Sequence, residues 1–205
     1  MYDELREKIC EIGKQLVKEG LVKGHEGNIS VRIPDKEQII IKPSGFSLDK
    51  LNPHDLIIID LDGKVISGIN KPSIETPMHT LIYKSRKDVN AVIHTHPLYS
   101  ICLGIMDESI KPISFIAFRT ISKKIPIVPC FSPGSIELAQ AVVNNLGEDG
   151  DAVLLKHHGL LTVGKDLEAA FNLSVMIEKA ANIQYLCLLL GTPEIIKISS
   201  TGGEV

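Results

Sequence analysis

Three of the seven histidines sit in two short stretches whose spacing suits metal chemistry. In Val92-Ile-His94-Thr-His96-Pro97 the two imidazoles are separated by one residue at the end of an apolar run. Side chains two apart on a strand project to the same side, close enough to chelate one ion. A second pair, His157-His158, follows another apolar run and precedes Gly159. Adjacent strand residues face opposite ways, so His157 or His158 joins the site, but not both. Three neutral imidazoles plus an open coordination position are a common catalytic zinc arrangement. The competing reading is a His-x-His on a surface strand; a second pair after its own apolar run weighs against it. His25 and His54 lack such a context and read as surface residues.

Lys71-Pro-Ser-Ile-Glu75-Thr-Pro-Met-His79 places a carboxylate at the start of a predicted helix. Acidic residues favour helix N-termini through the macrodipole alone. The chemical reading makes Glu75 a general base beside the metal. It would remove a proton α to a carbonyl while the metal stabilises the resulting enediolate. His79, four residues on and on the same face, reads as helix packing or as a contact behind the site, not as a ligand. Gly24-His-Glu-Gly27-Asn28 and Pro43-Ser44-Gly45 adjoin predicted strands. Glycine lets backbone N–H groups converge on an anion, and Asn28, Ser44 and Ser73 add side-chain donors, Ser73 near the positive end of a helix. Such turns are usually only turns.

The elements that must position these groups follow from periodicity. Apolar residues at Leu5, Ile9, Ile12, Leu16 and Val17 mark an amphipathic helix over 3–20, stopped by Gly20. Strands are predicted over 28–33 and 38–42, then 56–60 and 64–66 flanking the Asp62-Gly63 hairpin signal. A helix over 75–85 tolerates Pro77 in its first turn. Further strands are expected at 89–94, 124–128, 152–156 and 159–163, with helices at 97–104, 135–146 and 166–190. Asp166 caps the last of these, and Gly191-Thr-Pro193 stops it. The tail after it reads as frayed. Neither repeat nor linker divides the chain, so 1–205 reads as a single α/β domain. Early hairpins exclude an all-parallel sheet and favour a mainly antiparallel one covered by helices.

Composition bounds the function. With 205 residues, 44% of them apolar and 23% charged, the chain can bury one sizeable core. A net charge of −3 gives no electrostatic reason to expect nucleic acid, so any phosphate site must be local. No apolar run reads as bilayer-spanning, and the first residues show no signal-peptide core, which points to no membrane and a cytoplasmic location. Cys10, Cys102, Cys130 and Cys187 form no C-x-x-C pair and read as reduced thiols in or near the core.

Taken together, Gly24-x-x-Gly-Asn-Ile-Ser-Val-Arg32, Lys42-Pro-Ser-Gly45, Lys71-Pro-Ser-x-Glu75, Asn90-Ala-Val-Ile-His-Thr-His96 and His157-His-Gly159 resemble, in order, the motifs of the class II aldolase/adducin head family. The similarity runs from about residue 5 to 190. It implies a three-layer α/β/α sandwich with a mainly antiparallel central sheet, assembled as a homotetramer with active sites near subunit interfaces. It implies Zn²⁺ held by His94, His96 and His158, with Glu75 as acid/base that can also fill the fourth position. Asn28, Ser44, Gly45 and Ser73 match the phosphate-binding positions. The activity implied is reversible cleavage of a ketose 1-phosphate to dihydroxyacetone phosphate and a hydroxyaldehyde. The same cradle serves pentulose-5-phosphate 4-epimerases, methylthioribulose-1-phosphate dehydratases and phosphotetronate decarboxylases, and adducin heads use the fold as an interaction module. Four features depart from the pattern. Ile74 replaces a small polar residue, and His25 and Glu26 replace small residues in the first turn. Phe115 lies near the usual place of a tyrosine, and the tail after Gly191 lacks a second one.

Overall fold

The computed structural model describes residues 2–121 and 124–196. Eight strands form one sheet in the order β4-β3-β2-β1-β5-β8-β7-β6. They are β1 (Asn28–Arg32), β2 (Gln38–Ile41), β3 (Ile57–Asp60), β4 (Val65–Ser67), β5 (Ala91–Thr95), β6 (Ile127–Val128), β7 (Ala152–Leu155) and β8 (Gly159–Gly164). Every pairing is antiparallel except β6 with β7, which is parallel. Among the described residues six α-helices cover it: α1 (Tyr2–Lys18), α2 (Thr76–Ser85), α3 (Leu98–Ile105), α4 (Phe115–Thr120), α5 (Ile136–Leu146) and α6 (Leu167–Leu190). The expected α/β/α sandwich with a mainly antiparallel sheet is what the chain forms.

Strand alternation divides the core. On one face Ile39, Ile41, Ile57, Ile59, Val92, Leu161 and Val163 pack against Met78 and Ile82 of α2 and Leu138 and Val142 of α5. On the other, Ile29, Val31, Ile40 and Ile93 meet Ile9, Ile12 and Leu16 of α1. Farther along that side, Leu154 and Leu160 meet Leu103 of α3, Ala117 of α4 and Ile177, Ala180 and Ala181 of α6. Burying apolar surface stabilises by roughly 25 cal/mol per Å², so this alternation locks the register. A one-residue slip would turn each aliphatic row to the wrong layer.

One stretch of the α2-facing side is polar. Asn28 and Ser30 of β1 are buried there, where β2 and β3 carry isoleucines. They pair across the sheet with His94 and Val92 of β5, so Asn28 and His94 share a face at the same end. Opposite them, Glu75, His79 and Tyr83 lie at four-residue spacing along α2, and all three are buried.

Several expectations need correction. The strand predicted over 124–128 is two residues long, Ile127–Val128, and residues 122–123 lie outside the described part. α4 was not foreseen; its six residues, capped by the Ser114 side chain, are too few to show a periodicity. α6 is long and apolar enough to cross a membrane by length and composition, contrary to the sequence reading. It packs on the sheet, and two of its polar side chains bond inside the protein: Ser174 Oγ lies 2.6 Å from Thr162 Oγ1 of β8, and Gln184 Nε2 donates to the Ser109 carbonyl at 2.9 Å. Cys130 is exposed rather than near the core, although all four cysteines are unpaired. The expectation of a frayed tail falls largely on 197–205, outside the described residues.

α6 also sets where α3 begins. Pro97 cannot cap that helix with its side chain. Glu178 does so from α6, accepting from the Tyr99 and Ser100 N–H groups at 2.8 and 2.9 Å and from the Ser100 hydroxyl at 2.7 Å. Glu178→Ala should therefore cost about 2–3 kcal/mol in urea unfolding, since buried donors to a charged acceptor are left unmet. A change within about 0.5 kcal/mol would mean the carboxylate is not holding the helix start.

Candidate metal centre and active site

The structure brings His94, His96 and His158 together. Their nearest ring nitrogens all lie within 4.8 Å of one another. His94 Nε2 is 2.9 Å from His96 Nε2 and 3.3 Å from His158 Nε2. The three rings meet edge to face, with centroids 4.7–5.1 Å apart. Glu75 completes the group: Oε2 is 3.3 Å from His94 Nε2 and Oε1 is 3.5 Å from His158 Nε2.

Each position has a local cause. His94 lies in β5 and His96 just beyond it, two apart and on one side, as the strand period requires. Strand spacing left His157 and His158 open and the family resemblance implied His158; the turn between β7 and β8 brings that residue in. His157 adopts φ 61° and is exposed, while the His158 N–H closes the turn on the Leu155 carbonyl at 2.9 Å and its ring points inward. Gly159 follows because nothing larger fits. A Cβ there would overlap the Thr95 carbonyl oxygen and sit 3.0 Å from both His94 Cε1 and His96 Cδ2. Gly27, with φ 66°, is confined in the same way by Val22 and the His94 carbonyl.

Hydrogen bonding fixes what the nitrogens can do. His94 Nδ1 lies 3.0 Å from the Leu160 carbonyl, so it carries the hydrogen and leaves Nε2 with a bare lone pair facing the cluster. Burial, then the neighbouring His96 and His158, holds the His94 pKa well below the usual imidazole value. Burial followed by His158 also lowers the pKa of His96. Neutral imidazoles are the form that binds a cation. Among the described residues, buried Glu75 Oε1 and His158 Nδ1 have no hydrogen-bond partner. Three lone-pair nitrogens and an unsatisfied carboxylate oxygen, packed this closely, fit a divalent cation. Tetrahedral ligands about 2.0–2.1 Å from zinc lie at similar mutual distances.

The remaining predicted residues surround this centre in two ways. An isolated bridge between Pro43 and Pro72, with Ser44 N–H donating to the Lys71 carbonyl at 2.9 Å, brings the 43–45 and 71–73 segments side by side. Ser44 and Gly45 are exposed there, and Gly45 has φ 78° with open space around its Cβ position. The Ser73 hydroxyl accepts from the Glu75 N–H at 3.3 Å, so part of its capacity orients the carboxylate's own backbone. Asn28 is buried, and its amide donates to Glu75 Oε2 at 2.7 Å. Glu26 remains half exposed, with Oε2 3.9 Å from His96 Nδ1.

Lys42 was not singled out by the sequence reading. Its buried ammonium donates to the His25 and Gly27 carbonyls at 3.1 and 3.0 Å, tying the first glycine turn to the second. Burial brings its pKa down to about 8, while the charge of Glu75 acts to raise it. A lysine ending an Ile-Ile-Ile strand was the available signal. His79, read as packing or a contact behind the site, lies wholly inside, and burial takes its pKa down to about 3.

At one end of its central strands the sheet carries three imidazoles, beside a carboxylate, that could hold a metal ion. Residues 7–185 match the family model for the Class II Aldolase and Adducin N-terminal domain, and the chain belongs to that family as a class II aldolase, a lyase. It is 35% identical over 192 residues to the 5-deoxy-D-ribulose 1-phosphate aldolase of Bacillus thuringiensis, covering 93% of this chain and 89% of that protein. It is 37% identical over 179 residues to an L-fuculose phosphate aldolase of Methanococcus maripaludis, covering 87% and 93%. A solved structure of L-fuculose 1-phosphate aldolase superposes with a TM-score of 0.89 at 30% identity, covering 95% of this chain and 91% of the other.

Two outcomes test this geometry. Gly159→Ala should lower bound divalent metal at least tenfold by elemental analysis; unchanged metal content would mean the 94–96 and 158–159 backbones are not held this closely. The buried histidines also fix a pH dependence. Their folded pKa values lie below the unfolded value of about 6.5, so the unfolded chain takes up protons first and stability falls as pH drops below that value. For His79 alone, with a folded value of about 3, the loss by about pH 4.5 is roughly 2–3 kcal/mol. Urea midpoints of metal-stripped protein should show it, and His79→Gln, with no such proton to take up, should lose less between the same two pH values. Equal losses would contradict a buried neutral His79.

Proposed function

We propose that this chain is a zinc-dependent ketose 1-phosphate aldolase that reversibly releases dihydroxyacetone phosphate and an aldehyde. L-fuculose 1-phosphate and 5-deoxyribulose 1-phosphate are its candidate substrates. The observation that carries the reading is the convergence of three imidazole nitrogens on Glu75, one of whose oxygens is buried without a partner. The printed activities of the relatives support the substrate class. Both sugars end in a methyl group, so the aldehydes differ only by one hydroxymethylene unit.

His94, His96 and His158 would hold the cation, and Glu75 would serve as a fourth ligand in the absence of substrate. When bound, the cation polarises the ketose carbonyl and offsets negative charge developing on the neighbouring oxygens. Glu75 handles the proton at C3, the carbon that becomes nucleophilic. In cleavage the C3–C4 bond breaks, its electron pair remains on the three-carbon fragment, and Glu75 returns a proton to C3. The C4 hydroxyl gives its proton to solvent as the aldehyde forms, which balances the one delivered to C3, since Phe115 has no exchangeable group. Asn28, Ser44, Gly45 and Ser73 hold the phosphate; this orients the reacting carbons through contacts remote from the bond that breaks. Asn28 retains one amide hydrogen for that purpose, the other being on Glu75.

The whole of 1–205 acts as one domain in this reading, as a homotetramer in the cytoplasm. Exposed Phe115, Phe118, Phe131, Leu189 and Leu190 support burial between subunits.

Glu75→Gln should still bind zinc through the three histidines and cut release of dihydroxyacetone phosphate from either sugar by roughly 10²–10⁴-fold. Full turnover with metal still bound would remove Glu75 from its role.

A further inference from the structure

The polar strip between β1 and α2 forms one continuous hydrogen-bond chain ending on the carboxylate. Asn28 Nδ2 donates to Glu75 Oε2 at 2.7 Å, and Asn28 Oδ1 is bonded to His79 Nε2. His79 Nδ1 is 2.6 Å from Ser30 Oγ. Ser30 Oγ is 3.0 Å from the Tyr83 hydroxyl, whose single hydrogen goes to the Ser30 carbonyl at 2.9 Å. Asn28, Ser30, Glu75, His79 and Tyr83 are all buried.

The direction of every hydrogen follows from its end point. A carboxylate only accepts, so the Asn28 NH₂ must face Glu75 and its carbonyl must face His79. His79 Nε2 then carries the hydrogen, Nδ1 is bare, and the Ser30 hydroxyl donates to it. The Ser30, His79 and Asn28 donors therefore all point towards Glu75, with Tyr83 packed beside Ser30 and donating to its carbonyl. Glu75 Oε2 is held by the chain, and Oε1 is the atom left unsatisfied beside His158. Without a donor at its carbonyl, the Asn28 amide could turn over and set oxygen against oxygen. Burying four polar groups where neighbouring strands carry isoleucine costs free energy unless each bond is made.

We propose that His79 is a positioning residue, which through Asn28 ties one oxygen of Glu75 and reserves the other for the proton at the reacting carbon. This rests on the base role given to Glu75 above. Ser30 sets the His79 tautomer and is the next residue out.

The first measurement is independent of activity. Imidazole ¹⁵N NMR of metal-free protein at about pH 7, where an unperturbed histidine is mostly neutral, should show His79 protonated at Nε2 and bare at Nδ1. The opposite tautomer or a doubly protonated ring overturns the proposal. The second isolates the proton step: exchange of the C3 hydrogen of dihydroxyacetone phosphate with solvent, without aldehyde, in zinc-loaded enzyme. His79→Leu should slow exchange about ten- to hundredfold with KM within twofold. His79→Gln, whose amide can still donate to Asn28, should recover most of the rate. Equal losses in both variants, or none in His79→Leu, overturn the proposal. Ser30→Ala and Ser30→Thr give the same contrast if His79→Leu fails to fold: alanine should slow exchange and threonine, which keeps the hydroxyl, should not. Wild-type enzyme that exchanges no hydrogen would sink the function proposed above, and the tautomer would then decide this proposal alone.

Discussion

Four groups that all carry lone pairs are held against one another inside this protein, and the rest of the structure serves that unfavourable contact. His94 has spent its hydrogen on the Leu160 carbonyl, so its other nitrogen has none to offer the His96 and His158 nitrogens or the Glu75 carboxylate around it. Such a cluster repels itself until a cation stands among its members. Folding must therefore hold the ligands in advance through contacts made elsewhere.

Those contacts come from both layers of the sandwich. The β5–β8 pairing sets His94 opposite Leu161 and Thr95 opposite Leu160, which fixes the end of β5 against the turn bearing His158. Gly159 lets the two backbones approach, and Gly27 admits the first turn from the other side. α6 anchors the start of α3 just beyond His96 through Glu178. From the opposite layer, α2 presents Glu75 at the N-cap position, where its side chain is turned into the site and bonded to Asn28 rather than to its own helix. The aliphatic rows on both sides of the sheet make these placements rigid, since moving one strand by a residue would bury the wrong set.

Much of this was legible in the residues, and the limits have physical reasons. His94 and His96 were readable together because a strand repeats every two residues. The choice of His158 over His157 came only with the family resemblance, because it depends on a left-handed turn residue that no periodicity announces. Glu75 was legible as the start of a helix, but its bond to Asn28 joins residues 47 apart and depends on how α2 lies across β1. For the same reason His79 looked like packing: its partners come from another strand. β6 was overestimated because Ile125 to Val128 is apolar without being paired throughout. α6 read only as a helix over 166–190 and no run read as bilayer-spanning, although its composition satisfies a membrane span; here Ile177, Ala180 and Ala181 are buried with Leu154 and Leu160 of the sheet.

The most direct test of the central claim is anomalous X-ray diffraction at the zinc absorption edge from crystals of the zinc-loaded protein. One strong peak per chain should lie about 2.0–2.1 Å from a ring nitrogen of each of His94, His96 and His158, with a Glu75 oxygen or a substrate oxygen opposite. A peak coordinated by other side chains, or no peak at full loading, would contradict it.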